Sequence, residues 1–361
     1  MNTLDRKSPP AAQPQHNIPM PQVHRHQLSN GMPVHIVPYG NIELLELRYV
    51  VPAGVSFEAT PYVAQLTTSL LSEGTRHRNG LQLARSLDEL GAILDADSGY
   101  ESATVGLTVL PSRMAPAIAL LAEVLLGATF PADELEKLRV RTLEWLEVEE
   151  QKTDFIARRN FNNLLLGEQH PYGRVVTREA VEQVKVEMLR EFHARNYSPT
   201  NAFVVAVGRF DQTQLLNELE AHFGGAALIQ PGLQVPPSES RGTLPPKGTK
   251  GFHYFEKPGS LQATVRVGHL GFQRSHPDFT RMQVVTTLFG GYFGSRLMRN
   301  IREEKGYTYH IGANWNCLRH GGTFLIQTDI GNEYIKPTLA EIRAELDKFL
   351  QDGTQFDELD L

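Results

Sequence analysis

The sequence predicts an α+β protein built from two copies of one domain, and three observations carry that prediction. Strands that alternate or run apolar are interspersed with amphipathic helices along the chain. The order strand, helix, helix ending in glycine, strand and amphipathic helix occurs twice, with Gly91 opposite Gly306. GATFPADELEKL is likewise paralleled by QDGTQFDELDL, so that Asp133, Glu134 and Leu135 match Asp357, Glu358 and Leu359. Between the copies, Gly224 to Lys250 is rich in proline and glycine, lacks periodicity and reads as an extended linker. The expected division is a flexible leader over residues 1–20, a first domain over 21–225, a linker over 226–250 and a second domain over 251–361. On the repeat, the second copy is expected to be incomplete, with roughly 85 residues of the first copy unmatched. Half a sheet would be marginal by itself.

Composition excludes several classes. The chain has 361 residues, 41% hydrophobic and 21% charged, with a formal net charge of -6. No basic patch is concentrated enough to follow a phosphate backbone, so nucleic acid is not an expected partner. The single cysteine, Cys317, rules out an internal disulfide and a cysteine-based zinc site. No apolar run approaches the roughly 20 residues of a membrane helix, so no membrane association is expected. The leader MNTLDRKSPPAAQPQHNIPMP lacks the apolar core of a signal peptide, which implies a cytoplasmic protein, or a periplasmic one if a signal has been removed.

Within the first copy, VHRHQLSNGMPVHIVPYG reads as a hairpin turning at Asn30-Gly31, followed by a buried strand over Leu44 to Val51. His24 and His26 share one strand face, but no third ligand of suitable spacing follows. A metal site through His24, His26 or His77 fits no common pattern. Helices are expected over Thr60 to Thr75, Asn79 to a stop at Gly91, Pro111 to Gly127, Asp133 to about Leu166, and Thr177 to Asn196. Tyr100 to Leu110 alternates as a strand. The run NAFVVAVG, Asn201 to Gly208, is apolar enough to sit mid-sheet. His170 lies in the loop QHPYG and reads as structural.

The second copy contains FGGYFGSRLMRNIREEKGYTYHIGANW, Phe289 to Trp315. Leu297, Met298 and Ile301 fall on one helical face, Gly306 stops the helix, and Tyr307 to Ile311 alternates as a strand. Tyr307, Tyr309 and Ile311 are expected to point one way, Thr308 and His310 the other. Arg302 on the last helical turn and Tyr309, seven residues later on the strand, can then converge as a guanidinium beside a phenol, a pair able to bind a carbonyl oxygen or an oxyanion. On local sequence alone, a solvated Arg302 beside Glu303 and Glu304 and a half-buried strand Tyr309 remain the alternative. The glycines Gly290, Gly291 and Gly294 form no phosphate loop, since no G-K-[ST] follows, and read as close helix packing.

The hairpin with LSNGMPVHIV, the strand ending in PAG, the helix ending in LLSEGT, the HPYG loop and SRLMRNIREEKGYTY together resemble the M16 (pitrilysin/insulinase, processing-peptidase-like) zinc peptidases. The resemblance implies two repeated domains, each a mainly antiparallel sheet packed with helices. Active members carry an inverted H-x-x-E-H zinc motif on the first-domain helix. The matching positions here are Gln65, Thr68 and Ser69, a degenerate motif without zinc ligands or a general base. Glu144, with Glu147 as the alternative, falls where the distal ligand would be, as a relic. No metal or cofactor is expected in this chain, and zinc is expected in a partner. The resemblance further implies that Arg302 and Tyr309 reach across to a partner's active site and hold the substrate carbonyl. The implied partners are an HxxEH-containing M16 subunit and an extended peptide substrate. A structural or peptide-binding protein with no peptidase role is the alternative.

Overall fold

The structure, a computed structural model, describes residues 19–225, 248–319 and 321–354. The expected leader, apart from its last residues, most of the expected linker and the match at Asp357, Glu358 and Leu359 lie outside the described residues.

The first unit opens on the expected hairpin, β1 (His24–Gln27) and β2 (Pro33–Pro38). Gly31 takes φ +90°, a left-handed value that suits a residue without Cβ, and Asn30 Oδ1 accepts from the Met32 N–H at 3.0 Å. β3 (Leu45–Val51) alternates, with Leu45, Leu47, Tyr49 and Val51 exposed by 1% or less. Each such aliphatic side chain contributes about 1.5–3 kcal/mol on burial. Then come α1 (Val63–Leu70) and α2 (Gly80–Leu90). A reciprocal capping box of Asn79 and Gln82 starts α2, and Gly91 ends it at φ +61°. β4 (Ile93–Ser98) pairs antiparallel with β5 (Ala103–Val109), and α3 (Met114–Gly127) crosses back over the sheet.

Three helices differ from their expected extents. The helix expected over Thr60 to Thr75 is regular only within α1. The long helix from Asp133 to Leu166 is two, α4 (Ala132–Glu149) and α5 (Thr153–Leu166), with Lys152 extended between them. Lys257, from the start of the second unit, donates to Gln151 Oε1 at 2.7 Å and to the Glu150 carbonyl at 3.3 Å across that break. The helix over Thr177 to Asn196 is also two, α6 (Arg178–Gln183) and α7 (Val186–Asn196). Arg139 of α4 donates to the carbonyls of Val181, Glu182 and Val184, taking the acceptors that a continuing helix would use. β6 (Phe203–Gly208) and α8 (Gln212–Phe223) complete the unit. The sheet order is β1-β2-β6-β3-β5-β4, so β6 lies between β2, its parallel partner, and β3, with all other pairs antiparallel.

The second unit repeats the scheme. β7 (Gln262–Gly271) is followed by α9 (Phe279–Thr286), a further helix ending at Gly306, β8 (Thr308–Leu318), β9 (Gly321–Gly331) and α10 (Ile335–Asp352). Its sheet runs β7-β9-β8, antiparallel throughout, so the β8–β9 hairpin stands where β4–β5 stands in the first copy. Helical turns widen to π geometry over Thr287–Gly291 and Met298–Glu304. One sheet face packs on Phe289, Leu297, Met298, Ile301 and Ile342. The other meets α5, where the Thr264 and Thr153 hydroxyls lie 3.0 Å apart and a Cβ on Gly268 would stand 2.9 Å from the Phe161 ring. Among the described residues, no helix is long and apolar enough to cross a membrane.

Two buried titratable groups mark the first core. His193 of α7 stacks on Tyr197, meets the edge of Phe130 and lies 2.9 Å from the Leu125 carbonyl through Nε2. Burial, with Arg76 nearby, lowers its pKa to about 4. Glu58, 1% exposed, caps α1 by accepting from the N–H groups of Tyr62 at 3.2 Å and Ala64 at 2.9 Å, with Arg174 at 3.4 Å. Desolvation nonetheless pushes its pKa up to about 7 against those donors.

The unfolded His193 takes up its proton near 6.5 and the folded one resists until about 4, so its contribution to stability is complete above 6.5 and is lost as pH falls. His193→Gln, which keeps a donor for Leu125, should therefore lose less stability than the parent between pH 7 and pH 5, by on the order of 1–2 kcal/mol in urea melts. Glu58 titrates in the opposite sense, losing its contribution as pH rises from 4.5 through 7, and it cancels in the comparison. Equal losses in the two proteins would show that His193 does not titrate this way. A second expectation concerns Gly290, whose added Cβ would stand 2.6 Å from Ala313 Cβ and N. Gly290→Ala should cost about 1–3 kcal/mol by overpacking, read as a lower denaturant midpoint at unchanged slope.

Candidate functional site

Two places in the fold carry the residues that the sequence singles out. The first is α1. Gln65 and Ser69 are exposed on the outward side of α1, whereas Thr68 between them is 3% exposed. The Thr68 hydroxyl donates to the Ala64 carbonyl at 2.9 Å and meets the Tyr197 hydroxyl at 2.8 Å, so its single proton and its acceptor capacity are both engaged inside the core. Burial raises the Tyr197 phenol well above its ordinary range, which keeps it a neutral donor. α1 packs beside α4, where Glu144 and Glu147 are both exposed and Glu147 lies 3.9 Å from Arg178.

This donor set does not fit a zinc ion. An amide, an engaged threonine hydroxyl and a serine hydroxyl supply neither imidazole nor thiolate, and the position of a general base is occupied by the core-bound Thr68. Among the described residues, no three His, Cys, Asp or Glu side chains gather where they could hold a metal. His24 is bonded through Nδ1 to Gln212 Oε1 at 2.9 Å, and His26 is exposed. His170 is buried in its loop, where Nδ1 accepts from the Tyr172 N–H at 3.2 Å.

The second place is the helix end at Gly306. Gly306 takes φ +68° and its N–H bonds the Arg302 carbonyl at 3.2 Å, while the N–H groups of Lys305 and Tyr307 reach the carbonyls of Asn300 and Ile301 at 3.0 Å each. The chain then enters β8 through a bulge. Thr308 pairs with Ile330 and Ile311 with Thr328, one residue out of step. The expected common face of Tyr309 and Ile311 is therefore broken, because the extra residue in the bulge changes the parity of the strand. Ile311 is fully buried and Tyr309 is 86% exposed. The Thr328 hydroxyl donates to the His310 carbonyl at 2.9 Å and that of Thr308 to the Asp329 carbonyl at 2.7 Å, while Thr308 Oγ1 accepts from the His310 N–H at 3.1 Å, holding the bulge.

Arg302 and Tyr309 come together as a stack. The Arg302 Cζ lies 5.1 Å from the Tyr309 ring centroid and 4.4 Å from that of Phe293. Despite its neighbours Glu303 and Glu304, Arg302 makes no ion pair among the described residues, and Lys305 instead pairs with Glu341 at 3.3 Å. Cation–π contact with two rings leaves the guanidinium N–H groups, which make no hydrogen bond or ion pair among the described residues, free to donate to an acceptor. Tyr309 also borders a groove of about 500 Å³ between the α5 start and the second sheet, lined among others by Asp154, Thr264, Arg266, Gln327 and Asp329. Arg266 is half-buried there with its Nε unbonded, and burial with Arg158 nearby lowers its pKa despite Asp154 and Asp329. Neither Phe293 nor Arg266 is legible as a site residue from sequence, since no local spacing links either to Arg302 or Tyr309.

Comparison with known proteins bears on the family and the fold. The family model described as "Insulinase (Peptidase family M16)" matches residues 46–171, and that described as "Peptidase M16 inactive domain" matches residues 183–361. A relative from Rickettsia bellii named an uncharacterized zinc protease is 23% identical over 337 residues, covering 91% of this chain and 78% of that one. The Helicobacter pylori protein named "Non-peptidase homolog YmxG" is 25% identical over 334 residues, covering 90% and 73%. The crystal structure of a peptidase M16 inactive domain from Pseudomonas fluorescens superposes with a TM-score of 0.80 at 25% identity, covering 94% of this chain and 82% of that one. With both family models matched in tandem along one fold, the chain belongs to peptidase family M16.

Proposed function

We propose that this chain is the non-catalytic subunit of a heteromeric M16 zinc metallopeptidase, binding an extended peptide and supplying Arg302 and Tyr309 to the active site of an HxxEH-bearing partner. The observation that carries the reading is the Arg302–Tyr309 stack, an unpaired guanidinium edge beside an exposed phenol on a chain whose own motif helix cannot hold zinc. The Arg302 N–H groups and the Tyr309 hydroxyl are donors. Aimed at a peptide carbonyl, they strengthen as negative charge develops on its oxygen, and so favour the transition state over the ground state. The metal chemistry belongs to the partner, and this chain binds and orients. β4 is the last strand of the first sheet, with Ile93 64% exposed, and offers an edge to which a peptide strand can add through main-chain hydrogen bonds.

The relative named a non-peptidase homolog favours a second reading, a structural or peptide-binding M16-like protein with no peptidase role. Mixing separates the two. Peptidase activity on an unstructured peptide is expected only when this chain is combined with an HxxEH-bearing M16 protein, with zinc found only in the latter. In that mixture Arg302→Ala or Tyr309→Phe should lower turnover by about tenfold or more, the scale of one lost oxyanion donor. Unchanged turnover in both variants refutes the roles assigned to the pair. Chelator-sensitive activity in this chain alone refutes the non-catalytic reading, and silence throughout favours the second.

A further inference from the structure

The aromatic neighbours of Arg302 differ in origin, and that difference points to a further residue of the site. Tyr309 reaches it from β8, after the helix has ended. Phe293 reaches it from the loop before the helix, nine residues upstream of Arg302. No ring contact joins Phe293 to Tyr309 among the described residues, so each ring meets the guanidinium independently of the other. Phe293 is 60% exposed and does not belong to the hydrophobic core, yet its backbone is fixed on both flanks. The Ser295 N–H closes a turn on the Tyr292 carbonyl at 3.1 Å, and the Tyr292 ring lies over Gly294, where an added Cβ would stand 2.9 Å from it. Upstream, Gly290 is pressed against Ala313 of β8. Outside the core and without a ring partner among the described residues, Phe293 is left with Arg302 as the contact its ring makes.

We infer that Phe293 is a positioning residue: with Tyr309 it clamps the Arg302 guanidinium so that its N–H edge faces the peptide carbonyl. An arginine side chain has several freely rotating bonds, and freezing them on binding would weaken its use as a donor. Rings contributed from before and after the helix remove that freedom beforehand. They also account for how Arg302 stays clear of Glu303 and Glu304, either of which would otherwise take the guanidinium edge as an ion pair. The inference rests on the reading of Arg302 and Tyr309 as substrate contacts.

Two measurements test it. On the chain alone, the Arg302 Nε–H NMR signal, assigned by its loss in Arg302→Ala, should be displaced upfield by the rings. It should move toward the free-arginine position in Phe293→Leu and return in Phe293→Tyr. An unmoved signal in Phe293→Leu overturns the clamp whatever the partner does. In the active mixture, Phe293→Leu should lower kcat about three- to tenfold, the scale of one cation–π contact, with KM little changed and Phe293→Tyr restoring it. In an Arg302→Ala background Phe293→Leu should cost nothing further. An undiminished loss in that background, or an unchanged kcat where Arg302→Ala alone lowers it, overturns the positioning role. Silence of every mixture overturns this inference together with the reading it rests on, whereas activity that ignores Phe293 overturns this inference alone.

Discussion

The turn at Gly306 governs where the second unit can present chemistry. A left-handed residue there ends the helix within one turn of Arg302, and the cost of that conformation for a residue with a Cβ, about 1 kcal/mol, is absent for glycine. Once the helix stops, the chain must re-enter the sheet at Thr308, and the bulge before Ile311 decides which side chains face out. Without the extra residue, Tyr309 would share the buried face of Ile311 and could not meet Arg302 in the open. The ladder bonds lost at the bulge are offset by the hydroxyls of Thr308 and Thr328, one on the Asp329 carbonyl and the other on that of His310, so exposure of the phenol does not leave either carbonyl orphaned.

The first copy of the fold provides an internal control. At the positions equivalent to Arg302 and Tyr309 it has Leu87, 8% exposed, and Leu94, half-buried against the core. The glycine turn between them is the same, with φ +61° at Gly91 and +68° at Gly306. One backbone scheme therefore serves a packing role in one copy and a solvent-facing donor pair in the other. The helix-turn-strand geometry does not demand arginine and tyrosine, and their presence calls for a reason outside folding.

Much of this was legible because it is local chemistry. The Asn30-Gly31 hairpin and the glycine stops follow from backbone conformations that few residues tolerate, and the interior place of β6 from its apolar run, of which Val204 and Ala206 are fully buried and Val205 and Val207 half-buried. The helix breaks at Glu150 to Lys152 and at Val184 were not, because neither contains glycine or proline and each is bridged by a distant cation, Lys257 in one case and Arg139 in the other. β4 escaped notice because ILDADS, an edge strand with two aspartates, has no alternating burial. For the site, residue identity came through the resemblance to M16 peptidases. The stacked geometry did not, since strand alternation predicts Tyr309 and Ile311 on one face and only the observed bulge separates them. Phe293 was invisible for a similar reason: its approach to Arg302 depends on a turn that no spacing rule encodes.

The bond between Thr68 and Tyr197 limits which residues α1 can carry on its inner side. Gln65 and Ser69 stand in solvent and could be exchanged for histidines with little disturbance. Thr68 has been absorbed into the core, and a glutamate in its place would push a carboxylate into the space now shared with a buried phenol, at a cost of several kcal/mol. Placing a zinc-binding set on α1 would thus require repacking around Tyr197 first, at the expense of stability. The obstacle to a metal at this helix lies in the packing beneath it as much as in the side chains of Gln65, Thr68 and Ser69.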